Sequence, residues 1–299
     1  MVAPSIAGAL EAEARRYILD AMPERPTRKM REMTLDELLM IYFNWRARQI
    51  PPRPRACHLS AELNASPKAT EHRKALDELI GKIEAGQDLT PHLSEKVGTA
   101  HDPDFPAKKM HQRDDRDLLL ADWGVYHLHL AVSGSDDLVF AMVTPTDAYL
   151  IGVYPHGSWG LTEILEIVVR NWPDAGLMLP THAIGLTNKW TDEERLELRE
   201  AGISSPMIEL DGKVWASSAM GQTADGKTSM ATIRSNEIMH TLYRWETDQA
   251  TLLAEAEQAV NRAGERTVTG NWTPVVHGQL LGLQRDDVFH PIASLADHG

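Results

Sequence analysis

Residues 125–132, VYHLHLAV, place two histidines two positions apart in a run whose alternation suits a β-strand. Side chains two apart share a strand face. His127 and His129 therefore stand with Val125 and Ala131, while Tyr126, Leu128, Leu130 and Val132 form the opposite, core-facing side. A two-residue step puts the two imidazoles about 6.5–7 Å apart at the backbone. Imidazole both takes and gives a proton near neutrality, its ordinary pKa being about 6.5. A third, His156, follows in the segment HGSW at 156–159. One imidazole can take the proton of an attacking hydroxyl while another protonates a leaving oxygen.

Cleaving RNA without a metal needs that base, that acid and a cation for the phosphate. The residue types assign His127 or His129 as base, His156 as acid, and Arg170, Arg53 or Arg55 as phosphate contacts. Zinc is a different use of the same residues: His-x-His joined by His156 or Asp122 would give three ligands and an open position. No paired cysteines and no second histidine cluster accompany it, so no metal or cofactor is expected. In a structural role, the histidines would be partly buried and would hold the helix that follows.

These residues need a scaffold, and 114–172 supplies one. Ser133–Asp136 reads as a turn, Leu138–Val143 as a second strand, Thr144–Asp147 as another turn and Ala148–Tyr154 as a third strand. Connections this short demand antiparallel neighbours. A helix from about Arg113 to Trp123 precedes the meander, and one from Leu161 to Asn171 follows, stopped by Pro173. The fold class is α+β: a central antiparallel meander, about 125–154, flanked by helices, with one sheet face covered and further hairpins and helices toward the C-terminus. This order of helix and meander, over about sixty residues, resembles the layout of the sheet unit in small ribonucleases of the RelE and barnase type. The resemblance lies in element order and carries over no catalytic residue.

Three regions follow: 1–111, helical with a basic Pro/Arg-rich strap; 112–176, the helix–meander–helix unit; and 177–299, hairpins and helices, packed as one body or two closely joined domains. Residues 5–20 read as a helix ended by Pro23 and Pro26. A capping box at Thr34–Glu37 starts another, to about Arg48, and a third spans Thr70 to Ala85 before Gly86, with His72 solvated. Ile50–Arg55 is extended by its prolines. The stretch 98–111 reads as a loop, and Lys108, Lys109, His111 and Arg113 near it as solvated bases that could also face a phosphate. Residues 173–186 read as irregular. Thr191–Glu194 is a second capping box, opening a helix to Gly202. Met207–Leu210 and Lys213–Ser217 form a hairpin about Asp211-Gly212. Helices follow over Ile233–Trp245 and Asp248–Ala263, and residues from Gly270 onward show no clear period.

GQTADGKT at 221–228 matches the phosphate-loop pattern G-x-x-x-x-G-K-T. That loop works after a buried parallel strand and before a helix N-terminus. The polar segment VWASSAM ahead of it and the turn-forming Asp225-Gly226 favour a hairpin instead.

The net charge of −13 opposes non-specific coating of nucleic acid. From Arg25 to Arg55 eight bases meet three acids, a local +5 that leaves −18 elsewhere. Such asymmetry suits a phosphate, an acidic partner or pairing within the chain. A single cysteine, Cys57, excludes an internal disulfide framework, and no apolar run reaches the roughly 20 residues of a membrane span. The expectation is a cytoplasmic protein without a membrane partner, acting on RNA and restrained by a protein partner or inhibitor, as a toxin or defence effector would be. The competing class is a binding or regulatory module presenting Trp159, Trp190 and Trp272.

Overall fold

The structure is a computed structural model and describes residues 5–22, 28–94, 117–132, 134–223, 227–262, 271–285 and 287–296. Pro23, Pro26, the 98–111 loop with its bases, Arg113, Ser133, Ala224–Gly226, Ala263 and Gly270 lie outside the described residues. In chain order the elements begin with α1 (Ile6–Ala21), α2 (Arg28–Glu32), α3 (Leu35–Arg46) and β1 (Ala56–Leu59). Next come α4 (Ala61–Ala65), α5 (Pro67–Glu71), α6 (Arg73–Glu84), α7 (Leu118–Trp123), β2 (Val125–His129), β3 (Asp137–Val143) and β4 (Asp147–Pro155). Then follow α8 (Glu163–Asn171), β5 (Met178–Pro180), α9 (Asp192–Glu200), β6 (Met207–Leu210) and β7 (Lys213–Ser217). The last are α10 (Ser229–Thr247), α11 (Gln249–Arg262), β8 (Thr273–His277), β9 (Leu280–Arg285) and β10 (Val288–Ser294). Helices with antiparallel sheets make the chain α+β. Its contacts divide it into two units, 44–230 and 1–43 with 231–298.

In the unit 44–230, the antiparallel ladder runs through β2, β3 and β4, with His127 opposite Phe140 and His129 opposite Leu138. The sheet is one strand wider than the sequence reading. β1 adds parallel to the free edge of β4, Ala56 opposite Asp147, giving the order β1-β4-β3-β2. Its four residues follow the proline run and carry too little alternation to announce a strand.

Both faces of this sheet are covered, which corrects the expectation of one. Leu128, Val139, Ala141 and Leu150 pack on one side with Leu63, Leu76, Leu79 and Ile83 of α4 and α6. Val125, Leu138, Phe140 and Ile151 pack on the other with Trp123 of α7 and Ile164, Leu165 and Val168 of α8. The reason is visible in LVFAMV at 138–143, which is apolar without alternation, as a strand buried on both sides must be. Each such side chain taken from water contributes roughly 1.5–3 kcal/mol.

The second sheet in this unit has the order β5-β7-β6. Its β6–β7 hairpin turns at Asp211 and Gly212, both at positive φ (51° and 72°), as a two-residue hairpin requires. Residues 173–186 are thus not wholly irregular, since β5 pairs with β7. Helix α9 opens on the capping box of Thr191 and Glu194. The expected helix over 70–85 is instead α5 and α6, parted at His72, and it stops before Gly86. A Cβ at Gly86 would lie 2.4 Å from Pro54 N, so the proline strap passes directly over the helix end. At 221–228, Gln222 bridges Thr228 in antiparallel fashion and Thr223 N donates to Lys227 O at 2.8 Å. The β7 strand ahead of it lies in an antiparallel sheet, so this segment lacks the parallel strand of a phosphate loop.

In the other unit, α1 buries Ala7, Leu10, Ala14 and Ile18 at helical spacing. Thr34 and Glu37 cap α3 reciprocally, at 2.7 and 3.3 Å. Residues from Thr273 onward, without clear period in the sequence, form the antiparallel sheet β10-β9-β8. Both edge strands carry a proline, Pro274 and Pro291, which masks a strand signal yet is tolerated at a sheet edge. Tyr42 donates to Leu295 O at 3.1 Å and ties α3 to the end of that sheet.

Candidate active site

Where β2 ends, β3 begins and β4 finishes, the strand register brings His129, Asp137 and the residue before His156 side by side. Asp117 caps α7, one oxygen accepting from Leu120 N at 3.0 Å. Its other oxygen lies 3.5 Å from His127 Nδ1 without making a hydrogen bond, and that buried nitrogen has no other hydrogen-bond partner. Gly124 then ends the helix and β2 starts at once, so the helix cap and the first histidine are neighbours by local geometry.

Trp159 links the histidines. Its ring lies 4.9 Å from that of His127 and 5.0 Å, edge-on, from that of His156. It also stacks at 5° on Phe140, the cross-strand partner of His127, at 5.6 Å. Trp159 is therefore part of the histidine site and not an exposed docking residue. Trp190 is 37% exposed, and Trp272 carries Arg285 over its ring at 4.4 Å. His156 is exposed, its backbone N–H donating to Asp136 O at 2.8 Å.

His129 accepts a hydrogen bond at Nδ1 from Ser135 N, 3.2 Å away. Ser135 is itself fixed: its hydroxyl donates to Asp137 O at 2.5 Å and accepts from Leu130 N at 3.1 Å. Burial, and then the His127 imidazole, hold the His129 pKa below its ordinary value. The Ser135 N–H can only donate and cannot favour a protonated ring, so by sign it belongs with the groups that keep His129 neutral. His92, buried, donates from Nδ1 to His129 O at 2.7 Å and meets Lys82 Nζ at Nε2, 2.9 Å. Asp137 pairs with Lys68 and, at 2.9 Å, with His72, and these two hold its carboxyl below the usual range, Lys68 foremost. His72 is thus hydrogen-bonded to Asp137 at this end of the sheet, not a merely solvated side chain.

Of the three arginines, Arg55 is turned away from the histidines. Arg170 faces Glu62 at 3.6 Å and Glu166 at 4.0 Å on α8. Arg55 is buried and spends its donors on the carbonyls of Thr144, Pro51 and Arg53. Thr144 lies between β3 and β4 at the opposite end of the sheet, and Arg53 belongs to the strap over Gly86. Among the described residues, the lysines bound to the histidine end are Lys68 and Lys82, each already paired. Asp122, offered as a zinc ligand, is fully buried and accepts from Ser204 Oγ and from Ser205 N at 3.1 Å, with Arg199 at 3.6 Å. Arg199 stacks on Trp123 at 3.8 Å, and burial draws its pKa down to about 10. No group of three or more His, Cys, Asp or Glu among the described residues is arranged to hold a metal ion. Cys57 in β1 is a poor nucleophile, burial pushing its thiol up to about 11.

Sequence reasoning missed Asp117, Lys68, His92 and the pairing of His72. Asp117 did leave a signal, as an N-cap residue just before three leucines. The others depend on which helices the sheet recruits. No helix among the described residues is long and apolar enough to cross a membrane. Neither a protein-family model, nor a curated protein, nor a solved structure matches the chain.

Proposed function

We propose that the histidine end of the four-stranded sheet is an acid–base site that cleaves RNA without a metal. The observation that carries the reading is the gathering of His127, His129 and His156 about one stretch of sheet, with Trp159 touching two of them and Asp117 behind His127. His127 or His129 takes the proton from a 2′-hydroxyl, whose oxygen then attacks the adjacent phosphorus. The 5′-oxygen leaves with a proton from His156, giving a 2′,3′-cyclic phosphate and a free 5′-hydroxyl. The lowered pKa of His129 supports the reading, since it supplies a neutral imidazole at pH 7.

The experiment compares wild-type protein with His127→Ala/His129→Ala on a mixed-sequence RNA, with and without chelator. Chelator-resistant cleavage that the double variant loses, both proteins being folded by circular dichroism, is the expected result. Intact RNA with the wild type, or activity that chelator abolishes, overturns it.

A further inference from the structure

The two strand histidines sit in opposite hydrogen-bonding environments, and that divides their roles. A backbone N–H has no lone pair and can only donate. The ring atom of His129 that receives Ser135 N at 3.2 Å must therefore be an unprotonated nitrogen, and that atom is Nδ1. In the neutral ring the proton then resides on Nε2. His127 is the reverse case, its Nδ1 facing the Asp117 carboxylate at 3.5 Å. A carboxylate only accepts, so closing this contact into a hydrogen bond would need the proton on Nδ1 and would leave the Nε2 lone pair free. The contact is longer than a hydrogen bond, as catalytic contacts often are before substrate tightens them. Of the arginines named from the sequence, Arg55 is turned to carbonyls at the far end of the sheet. A hydrogen-bond donor among the histidines would meet the charge that develops on the phosphate oxygens.

We infer that His129 is not a proton acceptor but a neutral Nε2–H donor to the phosphate, and that His127, oriented by Asp117, is the base. Ser135 is the positioning residue for His129. Its N–H occupies Nδ1, and its hydroxyl is anchored to Asp137 O, the residue that Lys68 and His72 hold in place. Protonating His129 would set a second N–H against that of Ser135, so the neutral donor is the state the fold favours. This assignment rests on the ribonuclease reading for its chemistry but not for its tautomer.

The tautomer is measured on the full-length protein with 15N-labelled histidine, using ring-nitrogen chemical shifts near pH 7. The expected spectrum has His129 unprotonated at Nδ1 and protonated at Nε2; a proton on Nδ1 overturns the inference whatever the activity. The kinetic arm uses His129→Gln, which keeps an amide donor but cannot act as a base. It should retain RNA cleavage to within about 10-fold of wild type and keep the acidic limb of the pH profile, whereas His129→Ala falls by about 10²–10³-fold. His127→Gln should fall by about 10²–10⁴-fold and lose that limb. The assignment is overturned if His129→Gln is as inactive as His129→Ala while His127→Gln stays active. RNA left intact by the wild type removes the ribonuclease reading alone, and the nitrogen spectrum then decides the tautomer by itself.

Discussion

The four-stranded sheet carries a histidine beside a carboxylate and an aromatic ring at each end, and the two sets are built differently. Where β4 begins, His58 Nε2 meets Asp147 at 2.7 Å and its ring stacks on Tyr149 at 4.8 Å. Asp147 also accepts the Thr146 hydroxyl at 2.5 Å, and the His58 and Asp147 side chains are 40% and 28% exposed. This is a closed, solvent-screened latch between β1 and β4. Toward the other end, His127 is 16% exposed, stands 3.5 Å from Asp117 and shares its surroundings with two more imidazoles. A paired histidine and aspartate is thus no mark of chemistry by itself. Convergence of several imidazoles with an unsaturated carboxylate contact is what separates the candidate site from the latch.

The sharpest way to break that distinction is to remove histidines at each end. His127→Ala/His129→Ala should lower RNA cleavage by about 10³-fold or more, whereas His58→Ala should stay within about 2-fold. Equal losses at both ends would erase the contrast. Packing comes next: Phe140→Ala empties a fully buried ring site beneath Trp159 and should cost about 3–5 kcal/mol in urea denaturation. Tyr149→Ala, at the partly exposed latch, should cost clearly less in the same titration.

Asp117→Asn is gentler. Asparagine caps a helix about as well as aspartate, so stability should move by under about 0.5 kcal/mol. The rate should nevertheless fall about 10–100-fold, because the amide no longer enforces the His127 tautomer. Asp147→Asn should leave the rate alone; a matching fall there would place the latch in the chemistry.

The smallest effects are in pH dependence. The Thr146 hydroxyl and then His58 hold Asp147 below the usual carboxylate range. Its contribution is therefore present above about pH 4 and lost as pH falls through the lowered folded value. Asp147→Asn should cost about 0.2–1 kcal/mol at pH 7 and nothing in strong acid. His129 is also depressed, so its contribution is complete above about pH 6.5 and declines as pH falls. Thermal denaturation between pH 7 and 5 should be flatter for His129→Gln than for wild type. A latch variant should not change that slope.

Much of the scaffold was legible because its signals are local. The meander followed from short turns, the helices α3 and α9 from their capping boxes, and the β6–β7 hairpin from Asp211-Gly212. The parts that were hidden depend on distant partners. β1 is four residues long and finds β4 only across the intervening helices. β8 and β10 hide behind Pro274 and Pro291, and the second covered face of the sheet behind a reading that expected alternation. Within the site, the histidines could be named from spacing, but their phosphate partners could not. Charge at a position says nothing of what already neutralises it, as Arg170 beside Glu62 and Arg55 among carbonyls illustrate.

By itself the sequence determined that His127 and His129 share one strand face and that this strand belongs to an antiparallel meander between helices. Period and turn chemistry act over a few residues and need no tertiary information. Only the tertiary structure decided that Asp117 stands behind one imidazole and Ser135 before the other. It also decided that Trp159 joins His127 to His156 and that Arg55 is spent on carbonyls. Those are contacts among separate elements, set by which apolar faces pack together, and no local pattern encodes them.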